Sequence, residues 1–120
     1  MSQRGLERLR GYQKTLELFD LVIAEKLKGD PRCYRLIAQQ VGSADSICSN
    51  IEECYGRLSR VEYVRFLDFA RGSARETRGR YQRMKHWLPP DVIAKRIALL
   101  DEIIGILTSS IIRLRKGEPK

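Results

Sequence analysis

The chain has 120 residues, of which 42% are hydrophobic and 32% are charged, a composition that excludes a disordered chain and predicts one folded domain over residues 1–120. No apolar run approaches the roughly 18 residues of a membrane span, and the charged N-terminus lacks a signal-peptide core, so we expect a cytosolic protein with no membrane partner. The net charge of +8 favours a polyanion, with nucleic acid ahead of an acidic membrane surface.

Apolar residues recur every three or four positions in four stretches, which predicts four α-helices. The first is predicted over about residues 5–28, and its apolar face carries Leu6, Leu9, Tyr12, Leu16, Phe19, Ile23 and Leu27. It is predicted to end at Gly29-Asp30-Pro31, because glycine suits a helix C-terminus and proline cannot continue a helix. The second is predicted over residues 32–56, and its stripe consists of Ile37, Val41, Ala44, Ile47, Cys48, Ile51 and Tyr55.

The third helix is predicted over residues 60–87 and begins at a capping box, in which Ser59 and Glu62 each satisfy an unpaired backbone N–H. Its core face carries Tyr63, Phe66, Leu67, Ala70, Ala74, Thr77, Tyr81 and Met84. The fourth is predicted over residues 91–114 with the stripe Ile93, Ile97, Leu100, Ile103, Ile104, Leu107, Ile111 and Leu114. Four long helices joined by short turns predict an all-α, up-down-up-down four-helix bundle.

Some apolar and small residues lie away from these stripes and suggest a second buried surface, as in an oligomer. The predicted interface residues are Leu18, Leu21, Val22, Gly72, Gly79, Ile106 and Ile112. The alternatives are scattered surface hydrophobes, which are normal, and two tolerated glycines with no partner.

Positive charge is concentrated in and around the third helix, where residues 57–86 contain nine Lys or Arg and three acids. The predicted phosphate-binding residues are Arg57, Arg60, Arg65, Arg71, Arg75, Arg78, Arg80, Arg83 and Lys85. At about 100° per residue, five of them (Arg57, Arg60, Arg71, Arg75 and Arg78) form one stripe beside the core face. Like charges at this spacing repel, so a partner anion is a reasonable inference. The alternative is a solvated face, or arginines paired with glutamates of neighbouring helices.

Trp87 could stack on a base, but a position at the end of the bundle is the favoured interpretation. The three cysteines, Cys33, Cys48 and Cys54, show no CxxC spacing and are interpreted as small hydrophobes near the core. With one histidine and no phosphate-binding loop, we expect no metal, no cofactor and no catalytic residue, and therefore no enzyme.

Residues 46–57, SICSNIEECYGR, and the segment from Glu62 to Glu76 resemble a bacterial family of four-helix bundle proteins encoded in intervening sequences of large-subunit rRNA genes. The family's usual runs are SIxxNIAEGxGR and EYxxFLxxAxGSxxE, and the likeness covers roughly residues 31–81. Val41-Gly42 stands where the family has paired arginines, so any nucleic-acid role depends more heavily on the third helix.

The resemblance implies a basic homo-oligomer, a homopentameric ring. A related branch, the accessory variability determinant of diversity-generating retroelements, binds nucleic acid and a reverse transcriptase. We therefore expect a non-enzymatic adaptor that binds RNA or DNA, and as the alternative an accessory protein that binds a reverse transcriptase together with its RNA or DNA.

Overall fold

The computed structural model describes residues 10–25 and 30–117. Within these residues the chain forms four helices, α1 (Arg10–Ala24), α2 (Pro31–Tyr55), α3 (Arg60–Arg83) and α4 (Pro90–Arg115), with a 3-10 turn at Met84–His86. No strand occurs in the described ranges, so the predicted all-α class is confirmed. Residues 5–9 and 26–28 of the predicted first helix lie outside the described residues.

Asp30 and Pro31 start α2 one residue earlier than predicted. The Asp30 Oδ1 accepts the backbone N–H of Arg32 at 2.9 Å, and proline suits the first helical position because it has no N–H to satisfy. The Trp87 Nε1 also donates to Asp30, at 3.1 Å. Trp87 therefore joins the chain after α3 to the start of α2, which confirms its predicted place at the end of the bundle.

Ser59 caps α3 as predicted, because its side chain accepts the Glu62 N–H at 3.1 Å. The other half of the capping box is not formed. The Glu62 carboxylate instead accepts a hydrogen bond of 3.3 Å from Arg65. A cation on the next turn thus replaces the backbone donor expected from the sequence.

The helices are antiparallel neighbours in chain order, and α4 returns to pack against α1. At one end of the bundle the Tyr12 hydroxyl donates to Glu52 at 2.6 Å. At the other end the Arg96 Nε donates to Glu25 at 2.8 Å. The predicted up-down-up-down bundle is confirmed, and it measures 47 × 22 × 21 Å between Cα atoms.

The buried face of α1 differs from the predicted stripe. The core residues of this helix are Tyr12, Thr15, Leu18 and Val22. By contrast, Leu16 and Ile23, which were assigned to the core, are 39% and 56% exposed. Apolar residues occur around most of this helix, so spacing alone does not select the buried side. Thr15 is also buried on this side, and its hydroxyl is satisfied there because it donates to the Tyr12 carbonyl at 2.7 Å.

The interface predictions for Leu18 and Val22 are wrong, because both side chains belong to the protomer's own core, at 0% and 4% exposure. Ile106 also has an internal contact. A Cβ placed on Gly11 would lie 3.0 Å from its Cγ2, so α1 and α4 approach closely there. Ile106 therefore packs between helices of one chain.

The other three helices bury the faces expected of them. Their buried residues include Ile47 and Ile51 of α2, Tyr81 of α3, and Leu100 and Ile111 of α4. Cys33, Cys48 and Cys54 are buried and form no disulfide among the described residues, which confirms their interpretation as small core residues. Across residues 10–25 and 30–117, none of the helices combines the length and apolarity needed to cross a membrane.

Candidate nucleic-acid interface

The arginines of α3 lie on two sides of the helix, separated by its core face. Arg60, Arg71 and Arg78 lie along the contact with α4, which we call the α3–α4 seam. Arg80 lies along the contact with α2, the α2–α3 seam. Three of the five residues of the predicted stripe therefore lie along the α3–α4 seam. Of the other two, the Arg75 side chain has no hydrogen bond among the described residues, and Arg57 precedes α3.

Carboxylates accompany two arginines of the α3–α4 seam. The Arg78 Nε and Nη2 donate to the two carboxylate oxygens of Asp101, at 2.6 and 3.3 Å, and this hydrogen bonding raises the pKa of Arg78. Arg71 pairs with Asp68 at 2.6 Å and donates to the Thr108 hydroxyl at 3.4 Å. The Arg78–Asp101 pair is partly exposed, and exposed pairs contribute at most about 1 kcal/mol, so a phosphate can replace this carboxylate at little cost.

Arg57 and Arg65 combine an ion pair with an aromatic ring. Arg57 pairs with Glu53 at 2.8 Å and lies 4.5 Å from the centre of the Phe66 ring. Arg65 lies 5.4 Å from the ring of Phe69, a side chain that is 45% exposed. Arg57 belongs to the turn between α2 and α3, so the helical angle used to place it on the stripe does not apply.

Three predicted phosphate ligands have no carboxylate partner among the described side chains. Arg75 and Lys85 are exposed without a hydrogen bond there, and the Arg83 Nη1 donates only to the Gly79 carbonyl at 3.3 Å. These three side chains are the least constrained cations of this region. They remain predicted phosphate ligands.

Arg80 is the one predicted phosphate ligand that the structure removes from the exposed surface. Only 9% of this residue is exposed. Its Nη1 donates to the Gln40 side chain at 2.8 Å and to the Ser43 hydroxyl at 2.9 Å. The prediction that Arg80 belongs to an open basic face is therefore wrong, because α2 covers it.

A groove of about 570 Å³ opens where the start of α3 meets the end of α4. Its walls and floor are formed by Arg60, Val61, Val64, Arg65, Asp68, Leu114 and Arg115, a set that we call the basic groove. Three guanidinium groups thus surround an apolar floor, with one carboxylate beside them. The arrangement suits a ligand with an anionic part and a flat apolar part, as in a nucleotide.

Arg115 was missed by the sequence analysis, which ended the fourth helix at residue 114. The Arg60 Nη1 donates to the Leu114 carbonyl at 3.0 Å, and this hydrogen bond joins the start of α3 to the end of α4, where Arg115 lies. Because α3 and α4 are antiparallel, the start of α3 lies beside the end of α4, and this order could have predicted that Arg60 and Arg115 are neighbours. Arg115 itself forms no ion pair with any described residue.

The remaining interface predictions fall on accessible positions. Gly72 is exposed, and a Cβ added there would meet nothing within 4 Å, whereas one added at Gly79 would lie 3.6 Å from Arg83. Ile112 is 48% exposed and Leu21 is half-buried. Their role in self-association stays a prediction.

Carboxylate, thiol and imidazole groups do not gather into a metal site in the part of the chain that the structure describes, since no three of them lie close enough to hold an ion.

Comparison with known proteins adds a family to this geometry. A sequence model of the 23S rRNA-intervening sequence protein family matches residues 7–109. A solved structure of a protein of unknown function from the S23 ribosomal protein family of Bacteroides thetaiotaomicron shares 22% sequence identity. It superposes with a TM-score of 0.78 and covers 84% of this chain and 97% of its own. No curated protein matches the chain significantly.

Proposed function

Because the chain belongs to the 23S rRNA-intervening sequence protein family, we propose that it is a non-enzymatic cytosolic adaptor that binds single-stranded RNA or DNA through α3 and the end of α4. The observation that carries the proposal is the basic groove, where Arg60, Arg65 and Arg115 surround an apolar floor. Arginine suits this role, because its planar group both grips phosphate and stacks on bases.

Further positive charge lies beyond the groove, toward the other end of α3. Arg75, Arg83 and Lys85 extend the basic surface without carboxylate partners among the described residues. The pairs of Arg71 and Arg78 are partly exposed and exchangeable. Nucleic acid therefore binds through its backbone, and nothing in the site resembles a base-reading arrangement.

The test is a titration of labelled single-stranded RNA and DNA at low and moderate salt. Replacing Arg65 and Arg115 together by alanine removes two phosphate contacts, so we expect at least a tenfold loss of affinity and a salt slope shallower by about 2. The matched control replaces Arg35 and Lys95, two exposed cations elsewhere with no carboxylate partner in the described residues. Equal losses in both variants, or no binding by the wild-type protein at low salt, would refute the proposal.

The second part of the proposal is self-association. By family resemblance, the chain forms a homo-oligomer, specifically a pentameric ring. The exposed side of α1 supports it, since Leu16 and Ile23 lie beside Glu17 and Asp20, which have no cation partner in the described chain. An acidic, apolar surface of this kind is suited to contact with a second copy of the chain, away from the basic groove. Light scattering of the wild type and both variants measures the mass, so lost RNA affinity at unchanged mass separates the two roles.

A protein partner, specifically a reverse transcriptase, is the alternative function. Leu58 is 98% exposed and Val61 is 77% exposed, both at the basic end of the bundle. Apolar side chains that protrude among cations favour a protein surface that carries acidic groups or bound RNA. Co-purification that survives nuclease and high salt, together with no RNA affinity for the protein alone, would favour this function over the first.

A further inference from the structure

Arg80 is a buried guanidinium whose hydrogen-bond acceptors are all neutral. Within residues 10–25 and 30–117 no carboxylate lies within ion-pairing distance of it. Its Nη1 donates to the Gln40 amide oxygen at 2.8 Å, to the Ser43 hydroxyl at 2.9 Å and, more weakly, to the Gln39 carbonyl at 3.4 Å. The α2–α3 seam therefore holds a positive charge without supplying a negative one.

The network around Nη1 has one direction. The Thr77 hydroxyl donates to the Ser73 carbonyl at 2.8 Å, so in its 2.8 Å contact with Ser43 it accepts. Ser43 therefore donates to Thr77 and accepts from Arg80. The Gln40 amide nitrogen donates to the Thr77 carbonyl at 2.9 Å, which fixes its oxygen toward Arg80. These bonds hold the guanidinium in one orientation.

The opposite edge of the same guanidinium has no acceptor among the described residues. The Arg80 Nε is buried without a hydrogen bond, as is the Arg71 Nε, and the Arg80 Nη2 makes no hydrogen bond with any described residue. Arg32 and Arg78 use this same Nε–Nη2 edge to hold both oxygens of a carboxylate, those of Asp30 and Asp101. Arg80 thus presents the two-donor edge that binds oxyanions in its own chain, without an oxyanion.

The burial of Arg80 and the charges near it favour a negatively charged group at this edge. Burial lowers the pKa of Arg80, and the nearby Arg83 lowers it further, whereas Glu76 on the preceding turn raises it. The cationic form is disfavoured by these surroundings because a buried charge needs a counter-ion. An anion at the free edge would offset that cost and complete the hydrogen bonding.

We propose that the Nε–Nη2 edge of Arg80, in the α2–α3 seam, is a binding site for a single phosphate group. Arg65 of the basic groove precedes Arg80 by 15 residues on α3, which is about 22 Å along the helix. The site is therefore separate from the groove, and it stands or falls independently of nucleic-acid binding there. The phosphate is either inorganic phosphate or a phosphodiester group of a bound nucleic acid.

The test measures thermal unfolding in sodium phosphate and in sodium chloride of equal ionic strength. At ten times its dissociation constant, phosphate is expected to raise the Tm of the wild type by roughly 5 °C relative to chloride. Arg80→Lys keeps the charge but removes the two-donor edge, so this difference should disappear. Arg35→Lys, the same change at an exposed position of α2 outside the proposed binding surface, should keep it. Equal behaviour of the two variants, or of the two salts, would overturn the site.

Glu76 provides a second test, because its flexible side chain could itself swing to the free edge. If phosphate is the ligand, Glu76→Gln removes a competing negative charge and the Tm rise occurs at lower phosphate concentration. If Glu76 is the true partner, the substitution lowers the Tm in chloride without tightening phosphate binding, and the proposal fails. Should Arg80→Lys not fold, the arginine Nε–H resonances of the wild type replace it, with Arg80 expected to shift on phosphate addition and an unshifted Arg80 counting against the site.

The source of the phosphate follows from a third measurement on the folded Arg80→Lys variant. A loss of single-stranded RNA affinity of threefold or more, with Arg35→Lys as control, identifies a phosphodiester as the ligand. An unchanged RNA affinity, together with the lost response to phosphate, identifies inorganic phosphate.

Discussion

Arg78 and Arg80 are two residues apart on α3, yet they differ in exposure and in the charge of their hydrogen-bond acceptors. Arg78 is partly exposed and meets a carboxylate with two hydrogen bonds. Arg80 is buried and meets an amide, a hydroxyl and a carbonyl, all without charge. The comparison teaches that the buried arginine depends on acceptors being present in the right places, whereas the exposed one depends on a pair that water and salt can replace.

The largest effect expected from this difference follows removal of the amide in the buried seam. Gln40→Ala deprives the buried Arg80 of its shortest acceptor and removes the side-chain donor to the Thr77 carbonyl, which keeps only its helical N–H partner. We expect a loss of about 2–3 kcal/mol in the free energy of unfolding, measured by urea denaturation. Gln39→Ala, at the exposed neighbouring position, is the control and should change stability little. A Gln40 variant as stable as the control would show that the network contributes nothing.

Ser43→Ala should have an intermediate effect. It removes the hydroxyl that accepts from Arg80 and donates to Thr77, but it leaves the Gln40 contacts in place. We expect about 1–2 kcal/mol of destabilisation in the same assay. If the loss equals that of Gln40→Ala and the double variant is no worse than either single change, the network acts as one unit.

Asp101→Asn should have the smallest effect, because its pair with Arg78 is exposed. We expect a loss below about 1 kcal/mol, and one that shrinks further as salt is added. The Gln40→Ala loss should persist in high salt, since its groups are buried. A salt-insensitive loss above about 2 kcal/mol at Asp101 would remove the distinction between the seams.

Much of this architecture could be predicted from the sequence, because it is encoded in local patterns. The stripes of the last three helices, the Ser59 cap and the start of α2 near Pro31 depend on residues close together in the chain. The buried side of α1 could not be chosen, since apolar residues surround that helix and the packing of the other helices decides which of them are covered.

The candidate site was predicted less completely, because helical angles locate a residue on its own helix but not the neighbour that covers it. Arg80 was grouped with exposed cations although α2 lies over it. Arg115 was overlooked because its neighbours on α3 are more than 45 positions away in the chain. Which side of α3 meets α2 and which meets α4 is a property of the assembled bundle.

Asp30 makes the hydrogen bonds at one end of the bundle sensitive to acid. Its carboxylate binds the Arg32 side chain, the backbone N–H of Arg32 and the indole of Trp87, and the first two lower its pKa most. A lowered carboxyl pKa means that the stabilisation is present above the ordinary value of about 4 and fades as the pH falls through the lower, folded-state value. Strong acid would therefore loosen the start of α2 and release the chain's single tryptophan in the same step, so that its fluorescence reports on fraying of this end alone.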